Sequence, residues 1–173
     1  MAAGATYTPI FSTTLSSTQA NVTFSTIPST YTDLVLIINA NCATAGQTYA
    51  NIQLQFNGDS ATNYSYTQVY GDGSAAYSDR GSANTGIFAG YYNSTASIYS
   101  NLICSFNNYS NTSTYKTALI RQNYGTRGTT TTNVSGANVG LWRSTSAINQ
   151  INIGGSGSFS TGSTFTLYGI ASA

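Results

Sequence analysis

The stretch Asn51-Ile52-Gln53-Leu54-Gln55-Phe56-Asn57-Gly58-Asp59 decides the fold class. Its first six residues alternate strictly, which puts Ile52, Leu54 and Phe56 on one face of an extended strand and Gln53 and Gln55 on the other. Asn-Gly follows at once, the pair that tolerates positive φ at both central positions of a tight turn. The stretch therefore predicts a half-buried strand running into a hairpin or tight corner.

The same grammar recurs along the chain. Asp33-Leu34-Val35-Leu36-Ile37-Ile38 is apolar on both faces and is expected to be a central strand covered from two sides. Further strands are expected near Val22–Phe24, Ser65–Tyr70, Gly86–Tyr91, Ile98–Phe106, Tyr115–Gln122, Asn138–Arg143, Ile148–Ile153 and Thr164–Ile170. Turn-rich punctuation separates them at Tyr70-Gly71-Asp72-Gly73, Arg80-Gly81-Ser82, Gly125 to Gly128 and Gly154-Gly155-Ser156-Gly157. No segment carries apolar residues at helical spacing. Many short strands with regular turns predict an all-β fold: a single-domain antiparallel β-sandwich of jelly-roll type, with a barrel as second choice. Residues 1–10 read as an N-terminal arm or edge strand and residues 11–173 as the sandwich domain.

Only 5% of the 173 residues are charged, against roughly 25% in ordinary globular proteins. Disorder does not follow, because aromatic residues reach 13% and disordered chains lack them. The net charge of +1 comes without a basic cluster, so the phosphate contacts that drive nucleic-acid binding are missing. No stretch approaches the roughly 20 apolar residues of a spanning helix, and Met1–Ala5 has no basic leader pattern. Neither a nucleic-acid nor a membrane partner is expected. Cys42 and Cys104 lie in apolar strand-like runs and read as buried thiols, with a disulfide as the alternative.

The chemistry is defined by what is missing. The chain has no histidine and no glutamate, and its only carboxylate side chains are Asp33, Asp59, Asp72 and Asp79. Hydrolase triads lose their usual base, a glycosidase pair would have to come from those four, and no zinc set can be assembled. No catalytic residue and no cofactor are expected. Asp59, Asp72 and Asp79 are weak calcium candidates, since each sits in a glycine-flanked turn where Asp is common for backbone reasons alone.

What remains is surface. Fourteen tyrosines among Ser, Gly and Asn resemble the composition of binding loops, where the ring adds contact area at small entropic cost. The same residues also pack well across half-buried strands. The interface candidates are Tyr64, Tyr66, Tyr70, Tyr91, Tyr92, Trp142 and Arg143. Trp142 reads as a core or subunit-interface anchor before a sugar-stacking platform.

Several strings carry a family resemblance: Ser29-Thr30-Tyr31-Thr32-Asp33-Leu34, Phe56-Asn57-Gly58-Asp59 with Asn63-Tyr64-Ser65-Tyr66, Tyr70-Gly71-Asp72-Gly73, and Tyr115-Lys116-Thr117. The most specific are Trp142-Arg143-Ser144-Thr145-Ser146-Ala147-Ile148-Asn149 and Gly162-Ser163-Thr164-Phe165-Thr166-Leu167-Tyr168-Gly169-Ile170. In this order they resemble a family of small virion proteins of tailed bacteriophages, which occur as capsid decoration (cement) proteins and as tail-fibre domains. Gln150 and Ala171 depart from it, standing where that pattern often has basic residues. The resemblance implies a non-enzymatic structural protein on the virion exterior, made in the host cytoplasm during assembly. It would be a homotrimer bound to the major capsid protein. The alternative it implies is a tail-fibre or baseplate tip that binds a host surface glycan.

Overall fold

The computed structural model describes residues 6–44, 49–94, 98–125 and 133–171. Among them there are twelve strands and no helix: Tyr7–Thr14 (β1), Val22–Phe24 (β2), Asp33–Ala40 (β3), Tyr49–Phe56 (β4), Tyr64–Gly71 (β5), Ala76–Asn84 (β6), Ile87–Asn93 (β7), Ser100–Asn107 (β8), Lys116–Gly125 (β9), Asn133–Trp142 (β10), Ile151–Gly155 (β11) and Thr164–Ile170 (β12). They pair into an eight-stranded sheet, β1-β12-β3-β8-β9-β10-β5-β6, and a four-stranded sheet, β2-β11-β4-β7.

The topology is a jelly roll. With β5, β6, β9 and β10 set aside, the remaining strands, counted one to eight along the chain, pair as 1-8-3-6 and 2-7-4-5. That is the double Greek key of a jelly-roll sandwich. The other four strands are two hairpins inserted into its connections. They zip onto β8 in the order β9-β10-β5-β6 and extend the larger sheet beyond the edge of the smaller one.

Alternation builds the core. Leu34, Leu36 and Ile38 of β3 and Leu102, Cys104 and Phe106 of β8 point inward and are buried, as are Ile52, Leu54 and Phe56 of β4 from the opposite sheet. Each such side chain contributes roughly 1.5–3 kcal/mol by leaving water. The corner after β4 forms as the Asn-Gly pair requires: Asn57 and Gly58 have φ of 54° and 71°, and the Asp59 amide donates to the Phe56 carbonyl at 2.9 Å. At Gly90, φ is +149° and a Cβ would run into the Gln122 side chain. This glycine lets β7 bulge, shifting its register against β4 between Ile52 and Gln53. Gln122 can then accept from the Tyr91 amide at 3.1 Å and donate to Gln68 and Asn138. This buried amide network ties β7 to the extension of the larger sheet.

Two expectations need correction. β3 is central, between β12 and β8, but among the described residues it is covered on one face only: Ile37 is 38% exposed and Val35 is half-buried. Arg80-Gly81-Ser82 is not a turn but part of β6, where Gly81 makes room for the Tyr66 ring. Cys42 and Cys104 are buried free thiols, the reading their apolar runs favoured, and the disulfide alternative falls away. Tyr7–Ile10 of the expected arm belong to the edge strand β1, which runs on to Thr14 and pairs with β12. Residues 1–5 and the turn expected at 126–128 lie outside the described residues.

Candidate functional site

The two sheets differ in width, and the mismatch creates the site. β7 is the edge of the four-stranded sheet and packs against β9, β10 and β5. Beyond it, among the described strands, none but its hairpin partner β5 packs against β6. Such a half-covered surface suits tyrosine, whose ring packs while its hydroxyl reaches water.

A tyrosine seam fills this overhang. Tyr91 lies edge-on to Tyr49 at 4.9 Å and to Tyr124 at 5.3 Å, and Phe88 meets both Tyr91 (4.9 Å) and Tyr66 (5.1 Å). Tyr70 stacks on Tyr77 at 5.1 Å, directly across the β5–β6 pair. Tyr49 and Tyr77 stand at its open side, 46% and 43% exposed. Burial, reinforced by the neighbouring phenols of Tyr91, Tyr49 and Tyr70, pushes the Tyr124 hydroxyl up to about 12. Burial also raises Tyr91 and Tyr66, to which the Asp79 carboxylate adds. The hydroxyls therefore stay neutral and available for hydrogen bonds around pH 7. Asp79 accepts from Tyr66 at 3.2 Å.

The interface candidates separate into two groups. Tyr66, Tyr70 and Tyr91 come together in the seam, joined by Tyr49, Tyr77 and Tyr124. Tyr64, Tyr92 and Trp142 do not: they are 0%, 0% and 2% exposed and belong to the core. Trp142 and Tyr64 stack at 6.2 Å over the β4–β5 corner. Trp142 Nε1 donates to Asp59 Oδ2 at 2.7 Å, and the Tyr64 hydroxyl donates to the Asp59 carbonyl at 2.9 Å. Arg143 is spent on the same corner, donating to Ser65 Oγ at 3.1 Å and to the carbonyls of Tyr64 and Thr62. Asn57 binds the connection after β10 through Ala147, Asn149 and Gln150. Two of the strings that carry the family resemblance thus meet at a structural clasp. Alternation in β5 signals the seam's Tyr66 and Tyr70, whereas Tyr49 and Tyr124 depend on a strand crossing that no local pattern announces.

The carboxylates are likewise engaged locally. Asp59 also accepts from Asn63 and the Ala61 amide, and the Asn63 and Trp142 bonds hold its carboxyl below the usual range. Asp72 closes the β5–β6 turn by accepting from the Ser74 hydroxyl and the amides of Ser74 and Ala75, which brings it to about 2. Asp79 sits on β6 and accepts from the Arg80 amide. The three weak calcium candidates lie in separate places, and among the described residues no three Asp or Cys side chains converge. Lys116 is buried opposite Trp142 and donates to the carbonyls of Thr114 and Thr145.

The outer face of the larger sheet is a second feature. Leu119, Val139 and Val69 are each more than half exposed there, on a face where polar residues are the rule. A groove of about 890 Å³ runs across β8, β9, β10, β5 and β6 on this face. Small residues at Gly71, Ala76, Ser135 and Ala137 make the depression.

No protein-family model matches the chain, and no curated protein matches it. Among solved structures, the chain is similar to a protein of unknown function from Shewanella oneidensis MR-1. Identity is 14% and the TM-score 0.25, over 100% of this chain and 74% of that one.

Proposed function

We propose that the chain is a non-catalytic structural protein of a tailed-phage particle: a decoration (cement) protein that assembles as a homotrimer and clamps the outside of the major capsid shell. The tyrosine seam carries this reading. It offers aromatic surface open at Tyr49 and at Tyr77, on a frame of paired strands tied by the Gln122 amide network. Surfaces of this kind supply binding energy at low entropic cost. A net charge of +1 with 5% charged residues opposes close packing of many copies very little. All four aspartates accept hydrogen bonds from their own neighbourhoods, which suits holding and not proton transfer. The family resemblance supports the virion setting.

The test is co-sedimentation with particles that lack the protein. The parent protein is expected to pellet with them, and a Tyr49→Ser/Tyr77→Ser variant is expected to keep its Tm and stay in the supernatant. A variant that pellets as well as the parent contradicts the proposal. A second reading, a tail-fibre or baseplate tip binding a host surface glycan, is favoured by the groove on the outer face.

A further inference from the structure

Strand register fixes what the groove presents. Ile103, Arg121, Ala137, Val69 and Ser78 form one row across β8, β9, β10, β5 and β6. Asn101, Asn123 and Ser135 lead the adjacent row on the same face. The floor is therefore aliphatic, its flank is amide and hydroxyl, and a single guanidinium stands among them. Among the described residues the Arg121 guanidinium has no ion-pair or hydrogen-bond partner. A volume of about 890 Å³ lies in the range of small-ligand sites.

We infer that this groove binds a carboxylate-bearing sugar residue, of the uronic or N-acylated sialic type. Arg121 takes the carboxylate in a two-point contact, the geometry for which a guanidinium is suited. Asn101, Asn123 and Ser135 meet ring hydroxyls, and Val69, Ala137 and Ile103 meet the ring's C–H face or an acyl methyl. The backbone favours a saccharide over a peptide. β8, β9, β10 and β5 are each paired on both sides, so only β6 at the rim has a free edge, and across the rest of the floor recognition falls to side chains. A second copy of this chain is disfavoured, because Asp33, Asp59, Asp72 and Asp79 are all held by local hydrogen bonds. The inference rests on the glycan-binding reading and narrows it to acidic sugars.

The experiment is a titration of the full chain with sialyllactose and with a glucuronate disaccharide, against lactose and the methyl esters of both acids. One or both acids should bind, with the esters and lactose roughly tenfold or more weaker. Arg121→Gln and the groove-filling Val69→Trp should each weaken the acids by a similar factor at an unchanged Tm. Binding of esters or lactose as tight as that of the acids, or an Arg121→Gln protein that binds normally, overturns the carboxylate assignment while leaving glycan binding in place. No saccharide binding at all overturns both. A dimer that Val69→Trp dissolves, without sugar binding, gives the groove to a second copy and refutes the inference.

Discussion

Replacing Asp59 by alanine removes the acceptor that organises the β4–β5 corner. The buried indole N–H of Trp142 loses its 2.7 Å partner, and Asn63 and the Ala61 amide lose theirs. The last two can turn to water, so their loss is small. An orphaned buried donor costs roughly 1–3 kcal/mol, and bonds to a charged acceptor lie toward the upper end. The expected loss is about 2–4 kcal/mol, a large share of a typical 5–15 kcal/mol total. Urea denaturation reads it as a lower midpoint at unchanged slope. Trp142→Phe removes the donor and keeps most of the ring packing, so the double variant should be less destabilised than the sum by about 1 kcal/mol or more. The carboxyl's folded pKa lies below its usual 3.8, so its contribution is complete above that value and fades as pH falls through the folded pKa. The gap between parent and Asp59→Ala should narrow below about pH 4. A variant within about 0.5 kcal/mol of the parent, strict additivity with Trp142→Phe, or a gap that widens in acid would refute the reasoning.

Gly90→Ala should destabilise by roughly 2 kcal/mol or more, because its φ of +149° disfavours a side chain and the new methyl meets Gln122; thermal melts check this. Gln122→Leu should cost a similar amount by stranding the Tyr91 amide and breaking the bridge to Gln68 and Asn138, and amide exchange along β7 should quicken. In the native protein neither cysteine should react with a thiol reagent at pH 8. Both are buried, and burial pushes Cys104 up to about 12; a fast-reacting thiol equivalent would show that the core is looser than described.

Much of this architecture is legible in the sequence, because alternation and turn chemistry are local. Ile52, Leu54 and Phe56 are buried as their spacing requires, and Asn57-Gly58 takes two positive φ values. Thr164–Ile170 and Val22–Phe24 are strands with the expected bounds. The misreadings share one cause. Apolarity on both faces of Leu34–Ile38 predicted cover from both sides, but no described segment supplies the outer layer, and Val35 and Ile37 remain accessible. Burial of Tyr64 and Tyr92, against their expected place at an interface, depends on which strands cross above them, while Trp142 takes the core place that was one of its two expected roles. Tyr66 and Tyr64 are two residues apart on the same strand face, yet only Tyr66 lies in the overhang. Sheet width decides that difference, and sheet width follows from the strand order rather than from any single segment. The clasp that joins Asn57 and Asp59 to Trp142 and Ala147 also spans some 90 residues of sequence, beyond the reach of local pattern.

The most direct measurement is electron microscopy of intact particles with the protein counted against the major capsid protein. The account predicts density for a jelly roll on the outer shell surface, in copy number comparable to that of the shell subunit, with the Tyr49–Tyr77 side turned toward the shell. Density confined to a tail tip in a few copies, or none on the particle, would contradict it.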